Sequence, residues 1–172
     1  IQHADPEKRA MAGARMAAKA TVTDAEMDGQ FEISGQSIVV IVEDDFAETA
    51  RYKAAIREME SELPAQFVFA KVLNQALETA RIARESGLLR LFITDGQYPV
   101  SSAQIQKRGV YSGVEFIEQA QQYGVPVFLV SAFPREVLKT ANVKPERSFL
   151  KASPDEEFAP NLLLAVKDKL MN

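Results

Sequence analysis

A chain of 172 residues is long enough to bury a full core, and 47% apolar with 26% charged residues is the balance of an ordinary globular domain carrying an appendage. A net charge of −4 gives no electrostatic reason to expect nucleic acid or a membrane surface as a partner. The absence of cysteine excludes disulfides and thiolate metal sites, and no apolar run approaches the ~18 residues of a membrane span. No secretory signal is visible, so a cytoplasmic location is the default expectation, and an opening at Ile1 rather than Met is what a piece of a longer protein would show.

Residues 1–36 differ from the rest and are read as an N-terminal helix and connector, set apart from a domain over 37–172. "DPEKRAMAGARMAAKA" has Asp5 as N-cap, Pro6 at the first helical position and Glu7 in the first turn, followed by Ala-rich sequence. "TVTDAEMDGQFEISGQ" reads as a polar connector. From Ser37 a strand–helix alternation sets in. Ser37–Val42 is β-branched on both faces, as suits a central parallel strand covered on both sides. Phe46, Tyr52, Ala55, Ile56 and Met59 then recur near helical spacing, giving a helix from Asp45 to about Met59.

Gln66–Ala70 is a second strand, and "LNQALETARIARES" is a helix closed by Gly87. Leu88–Thr94 is a third strand that ends at Asp95, and a loop runs from there to about Ser112. "GVEFIEQAQQY" is a helix ending at Gly124, Pro126–Ser131 a fourth strand, and a short helix near Arg135–Thr140 leads to a fifth strand, Ser148–Leu150. A last helix is predicted from Asp155 to about Met171, with the acids of "SPDEEF" on its positive end. Five βα units in succession predict a doubly wound α/β fold with a five-stranded parallel sheet, whose ligands bind beyond the carboxyl ends of the strands.

The residues at those ends are Glu43 and Asp44 after the first strand, Asp95 after the third, Ser131 at the end of the fourth and Lys151 after the fifth. Parallel strands place all of them on one edge of the sheet. Oxygen ligands suit a hard cation, and Mg²⁺ fits best because it takes few carboxylates and keeps several waters. Such an ion would compensate the crowded acids of "EDD", of which Asp45 is better used as the N-cap of the following helix. Asp95, alone on its strand, has room to attack a phosphorus in line, and an aspartyl phosphate is established covalent chemistry. Mg²⁺ and Lys151 would offset charge on the transferred oxygens, and the Ser131 hydroxyl could donate to one of them. Taken singly, each acid could be a cap or loop residue, Ser131 an N-cap and Lys151 a solvated lysine. The joint order is far more specific than any member of it.

In that order the sequence resembles a response-regulator receiver domain, the phosphoacceptor module of two-component signalling, over about Ser37 to Leu170. "IVVIVEDD" resembles the family's first strand with its acidic pair, Glu43 and Asp44, and "LFITDGQYP" the third strand with its phosphoacceptor, Asp95, and a proline at Pro99. "GVEFIEQ" resembles the start of the third helix, "VPVFLVSA" the fourth strand with Ser131 as switch hydroxyl before the small Ala132, and "SFLK" supplies the lysine, Lys151. The resemblance implies a flavodoxin-like sheet of order 2-1-3-4-5 and a Mg²⁺ shell completed by the Gln97 backbone carbonyl. It also implies phosphotransfer from a histidine kinase or phosphotransfer protein, and a switched surface for a downstream protein partner.

Three departures stand out. Ala152 follows Lys151 where the family usually has proline, with Pro154 two further on, and the Lys144–Pro145 pair comes too soon after Ser131 to replace it. Ser148 stands three residues before the lysine, where the family's switch aromatic lies, and the nearby ring is Phe149. The span from Asp95 to Gly113 is longer than the family's usual spacing and includes Lys107 and Arg108. It reads either as a tolerated surface insertion or as a lid or docking element at Asp95.

The rival readings are a pseudo-receiver that binds protein without phosphorylation, and a phosphohydrolase of the haloacid dehalogenase type. The latter needs a second Asp where Gln97 stands. What the resemblance implies is a self-catalysing phosphoacceptor rather than an enzyme with an external substrate, and whether the chain counts as an enzyme stays open. Direct nucleic-acid binding is not expected, since no DNA-binding domain is expected beyond the last helix. The N-terminal helix is expected to dimerise or dock, or to be the tail of a preceding domain, and His3, the single histidine, is given no role.

Overall fold

The computed structural model of the protein describes residues 19–104, 111–139, 141–153, 156–158 and 160–172. The predicted N-terminal helix, His3, Lys107, Arg108, Thr140, Pro154 and Asp155 lie outside the described residues. Among those described, the strands are β1 (Thr21–Asp24), β2 (Ser37–Val42), β3 (Ala65–Ala70), β4 (Leu89–Asp95), β5 (Val127–Ser131) and β6 (Arg147–Leu150). The helices are α1 (Phe46–Glu58), α2 (Leu73–Glu85), α3 (Ser112–Ala120), α4 (Pro134–Leu138) and α5 (Pro160–Met171). A 3₁₀ turn, Gln121–Tyr123, extends α3 to Gly124, whose φ of 70° is the left-handed stop that glycine allows.

The strands form one sheet of order β1-β3-β2-β4-β5-β6, with every pairing parallel. Its last five strands reproduce the expected 2-1-3-4-5 order. The sheet has six strands, however, not five: Thr21–Asp24, inside the segment read as a polar connector, pairs with β3 as an added edge strand. Its composition hides it, because Thr21, Val22 and Asp24 are exposed and only one flank is paired. The predicted last helix also begins later, at Pro160, where a missing N–H costs nothing. Glu156 and Glu157 precede it, with the Glu156 N–H donated to the Ser153 carbonyl at 3.0 Å in a turn, so these acids do not stand on the helix end.

The two-sided burial of "SIVVIV" is explained by the layers. Ile38, Val40 and Val42 pack with α2, α3 and Val137 of α4. Val39 and Ile41 face the other way, against Tyr52 and Ile56 of α1 and Leu162, Leu163 and Val166 of α5. A strand buried on both faces has no use for alternation. Among the described residues, no helix is long and apolar enough to cross a membrane.

The edge strand is tied down by buried amides. The Gln66 side chain, 1% exposed, accepts from the Ser34 N–H at 3.0 Å and donates to the Glu32 carbonyl at 2.7 Å and to Thr23 Oγ1 at 3.0 Å. Gln75 of α2 donates to the Ala25 and Glu26 carbonyls and accepts from the Lys71 N–H. Gln66→Leu would leave these partners unsatisfied under an apolar side chain, and a loss of about 1–3 kcal/mol is expected in urea unfolding. A loss within error of zero would show that the connector is not held through Gln66.

Candidate functional site

Because all six strands run the same way, their carboxyl ends share one rim, and each sequence-predicted site residue lies on it. Glu43 and Asp44 follow β2, Asp95 closes β4, Ser131 closes β5, and Lys151 follows β6. Together with Gln97, Tyr111, Ala132 and Phe133 they line one open crevice. The structure thus brings Glu43, Asp44, Asp95, Gln97, Ser131 and Lys151 together; Asp45 also lines the crevice, but serves as the predicted helix cap. Its side chain accepts from the Glu48 N–H at 2.8 Å and caps α1.

The ammonium of Lys151 reaches back across β5 and β4, donating to Glu43 Oε2 at 3.0 Å and to Asp95 Oδ2 at 3.3 Å. The other oxygens of these acids accept backbone N–H groups, Glu43 Oε1 from Asp45 at 3.0 Å and Asp95 Oδ1 from Gly96 at 2.7 Å. Ser131 Oγ accepts from the Phe133 N–H at 3.0 Å. Gly96 lets Val137 pack close against the site, since a Cβ there would collide with Val137 and come within 3.4 Å of Ser131 Oγ.

Burial governs the charges. It pushes the Glu43 carboxyl, 3% exposed, up to about 8, with the Asp95 charge adding to the push and Lys151 and the Asp45 N–H opposing it. Asp95 and Asp44 are raised from their ordinary values, again by burial first. For Lys151 burial acts downward, but Glu43 and Asp95 outweigh it and hold the ammonium above its usual value. One carboxylate oxygen from each of Glu43, Asp44 and Asp95 falls in a group within 4.8 Å of one another. That hard-oxygen set, carrying more negative charge than one lysine offsets, fits a small divalent cation.

The base of the long loop is built into the site. Gly113 donates its N–H to the Gly96 carbonyl at 3.1 Å, and any Cβ on it would collide with the Asp95 carbonyl oxygen. Tyr98 is 1% exposed with its hydroxyl 2.9 Å from Thr94 Oγ1, and its carbonyl accepts from Ser112 Oγ at 2.6 Å. The carbonyls of Pro99 and Val100 accept the Leu73 and Asn74 N–H groups, which opens α2 without a side-chain cap. Phe149 packs against Phe128, with ring centroids 5.5 Å apart, on the α1–α5 side of the sheet. Ser148 is exposed.

Sequence reasoning passed over two charged groups near the rim. Asp24, brought there by β1, pairs with Lys53 of α1 at 2.8 Å. Arg51 of α1 binds the backbone just beyond Lys151. Neither signal was available locally, because both depend on contacts across the fold.

Among solved structures, the PhyR response regulator receiver domain of Erythrobacter litoralis is similar at 20% identity, with 80% of this chain and 91% of that chain covered and a TM-score of 0.53. A CheY-like response regulator receiver domain protein of Methanospirillum hungatei gives 18% identity, 80% and 95% coverage and a TM-score of 0.53. A signal receiver domain of an HD domain-containing protein from Pseudomonas fluorescens gives 18%, 83% and 92%, with a TM-score of 0.51. No family model matches the sequence, and no match was found among curated proteins. The chain has the receiver-domain fold, a parallel α/β sheet of CheY-like type.

The raised Glu43 pKa sets a pH dependence. Unfolded, this carboxyl titrates near its ordinary 4.5, and folded near 8, so the folded protein holds the extra proton between those values. Stability is therefore expected to fall as pH rises through that window. In chelator, the thermal midpoint should drop between about pH 5 and 8.5, and Glu43→Gln, with no proton to lose, should flatten the drop. Parallel curves for the two proteins would refute this assignment.

Proposed function

We propose that the protein is a cytoplasmic receiver domain that accepts a phosphoryl group on Asp95 in a Mg²⁺-dependent reaction and thereby switches a protein-interaction surface. The observation that carries this reading is the Lys151 ammonium lying between Glu43 and Asp95, on the rim that also holds Asp44 and Ser131. The donor is the phosphohistidine of a sensor kinase or phosphotransfer protein. Asp95 Oδ forms the new bond to phosphorus as the P–N bond breaks, and the electron pair of that bond returns to the imidazole of the donor.

Glu43, Asp44 and Asp95, with the Gln97 backbone carbonyl, would hold Mg²⁺, whose chemistry when bound is to draw charge from the phosphoryl oxygens. The chain's own groups do the rest. Lys151 already stands 3.3 Å from Asp95 and needs only to exchange a carboxylate oxygen for a phosphoryl one. Ser131 turns its hydroxyl from the Phe133 N–H to donate to the phosphoryl group. Phosphorylation brings about −1.5 to −2 charge at neutral pH, enough for one to three new charge-assisted hydrogen bonds. These bias the face around β5, β6 and α4 toward one of two arrangements. A binding module without phosphotransfer has no need of a lysine bridging two buried acids.

Incubation with acetyl phosphate and Mg²⁺ is expected to give a hydroxylamine-labile phosphoryl adduct by intact mass. The adduct should be lost in EDTA and absent from Asp95→Asn. Folded, Mg²⁺-binding protein that stays unmodified both with acetyl phosphate and with phosphorylated histidine donors would count against the reading.

A further inference from the structure

The position of Lys151 is not secured by its own strand. β6 is a four-residue edge strand with three of its residues exposed, and the lysine lies just beyond it. Its N–H is donated to the Ser131 carbonyl at 2.9 Å, the last bond between β5 and the β6 end among the described residues. From there the side chain must reach over β5 to Asp95 and over β4 to Glu43, because strands β2 and β6 are separated by two others. Ala152 and Ser153, next in the chain, belong to neither strand nor helix, and α5 starts only at Pro160. A long side chain aimed from a backbone held on one side only loses its geometry readily, and a small displacement of a reacting group is costly.

One side chain grips this backbone. Arg51 Nη1 donates to the Ala152 carbonyl at 3.2 Å, and Arg51 Nη2 to the Ser153 carbonyl at 3.1 Å and the Glu156 carbonyl at 3.0 Å. Nη1 also donates to Glu48 Oε1 at 3.0 Å, one turn back on α1. The guanidinium lies 5.1 Å from the ring centre of Phe158, and that ring is in turn in edge contact with Tyr52 at 4.7 Å. With a side chain 20% exposed, these are partly desolvated, charge-assisted bonds rather than a solvated surface pair. The planar fork of arginine serves several carbonyls at once, which the single ammonium of lysine does not do.

The placement gives the grip a direction. α1 starts immediately after Glu43, Asp44 and Asp45, and its first residues are held by the Asp45 cap. Arg51 is therefore carried on the helix that follows directly from two of the acids. Lys151 ties the end of β6 to the ends of β2 and β4 through its ammonium, and Arg51 ties the backbone just beyond it to the helix that follows β2. The two cations form a double clasp between α1 and the segment after β6, only one of which touches the reacting centre.

We infer that Arg51 is a positioning residue for Lys151: its guanidinium fixes the Ala152–Ser153–Glu156 backbone so that the lysine ammonium bridges Glu43 and Asp95. The inference rests on the receiver reading for its effect on phosphotransfer, but the clasp itself is testable without it.

The decisive variants are Arg51→Lys, which keeps the charge, and Arg51→Gln. Folding is checked by circular dichroism and thermal unfolding. The Lys151 ammonium, held in two ion pairs, should give an exchange-protected ¹H–¹⁵N cross-peak, assigned by its disappearance in Lys151→Met. Both Arg51 variants are expected to fold and to lose or broaden that cross-peak. Their phosphorylation by acetyl phosphate should slow by about 10-fold or more. Adding either change to Lys151→Met should cost nothing further, because Arg51 acts through the lysine. A folded Arg51→Lys that keeps the cross-peak and its rate overturns the inference, as does a double variant whose losses multiply. If neither variant folds, Arg51 serves global stability and the inference fails. Wild-type protein that takes no phosphoryl group sinks the receiver reading alone, and the cross-peak still decides the clasp.

Discussion

Buried carboxylates repel one another and resist losing their water, and the site depends on how that cost is offset. Glu43 is nearly inaccessible and Asp95 half-buried, yet a single ammonium, that of Lys151, bridges both. Desolvation would neutralise these acids if nothing opposed it, and the raised Glu43 pKa shows that the opposition is incomplete. An acid site that is short of positive charge, in a crevice open to solvent, is suited to take up a divalent cation. One arrangement therefore accounts for both the strain in the charges and the chemistry proposed for them.

The sheet makes that arrangement attainable. Acids on β2 and β4 and a lysine beyond β6 meet because every strand runs in the same direction, so residues far apart in the chain end on one rim. The helix layers cover the two apolar faces of the sheet, one layer against Ile38, Val40 and Val42 and the other against Val39 and Ile41, and leave the rim to the polar groups at the strand ends. Small residues then decide what fits between. Gly96 and Gly113 allow the chain on either side of the long loop to touch behind Asp95, and the buried Thr94–Tyr98 pair fills the space beneath. The insertion is thus anchored at its base, next to the proposed phosphoacceptor. Its Pro99 and Val100 carbonyls also satisfy the start of α2.

The N-terminal part illustrates a different logic. Thr21–Asp24 and the segment after it contain little apolar surface, and strand pairing with β3 is supplemented by side-chain amides. Gln36, Gln66 and Gln75 act as hubs that bond the backbone at Lys19, Ala25, Glu26, Glu32 and Ser34. Among the described residues, no buried side-chain nitrogen or oxygen lacks a partner. A polar segment can therefore be an integral part of a sheet, provided that another element supplies its hydrogen bonds.

Periodicity and the strand-end residues were legible from the sequence because they are local. β2 was readable from its unbroken β-branched run, Asp45 from its position before a helical pattern, and the order Glu43-Asp44, Asp95, Ser131, Lys151 from the residues at the end of each strand. The edge strand was not readable, because its pairing partner β3 lies some forty residues away and its own residues look like a loop. Nor was the late start of α5, where a turn through Ser153 and Glu156 replaces the expected first helical turn. Arg51 looked like any exposed helix residue until the fold brought three carbonyls, 101 to 105 residues distant, onto its guanidinium. The sequence by itself determined the alternation of elements, the direction of the sheet and the residue types at its rim, since propensity and hydrophobic period act over a few neighbours. The tertiary structure alone decided which charges are desolvated, which backbone groups are gripped and where the ammonium points, because those depend on distances between elements that no local pattern encodes.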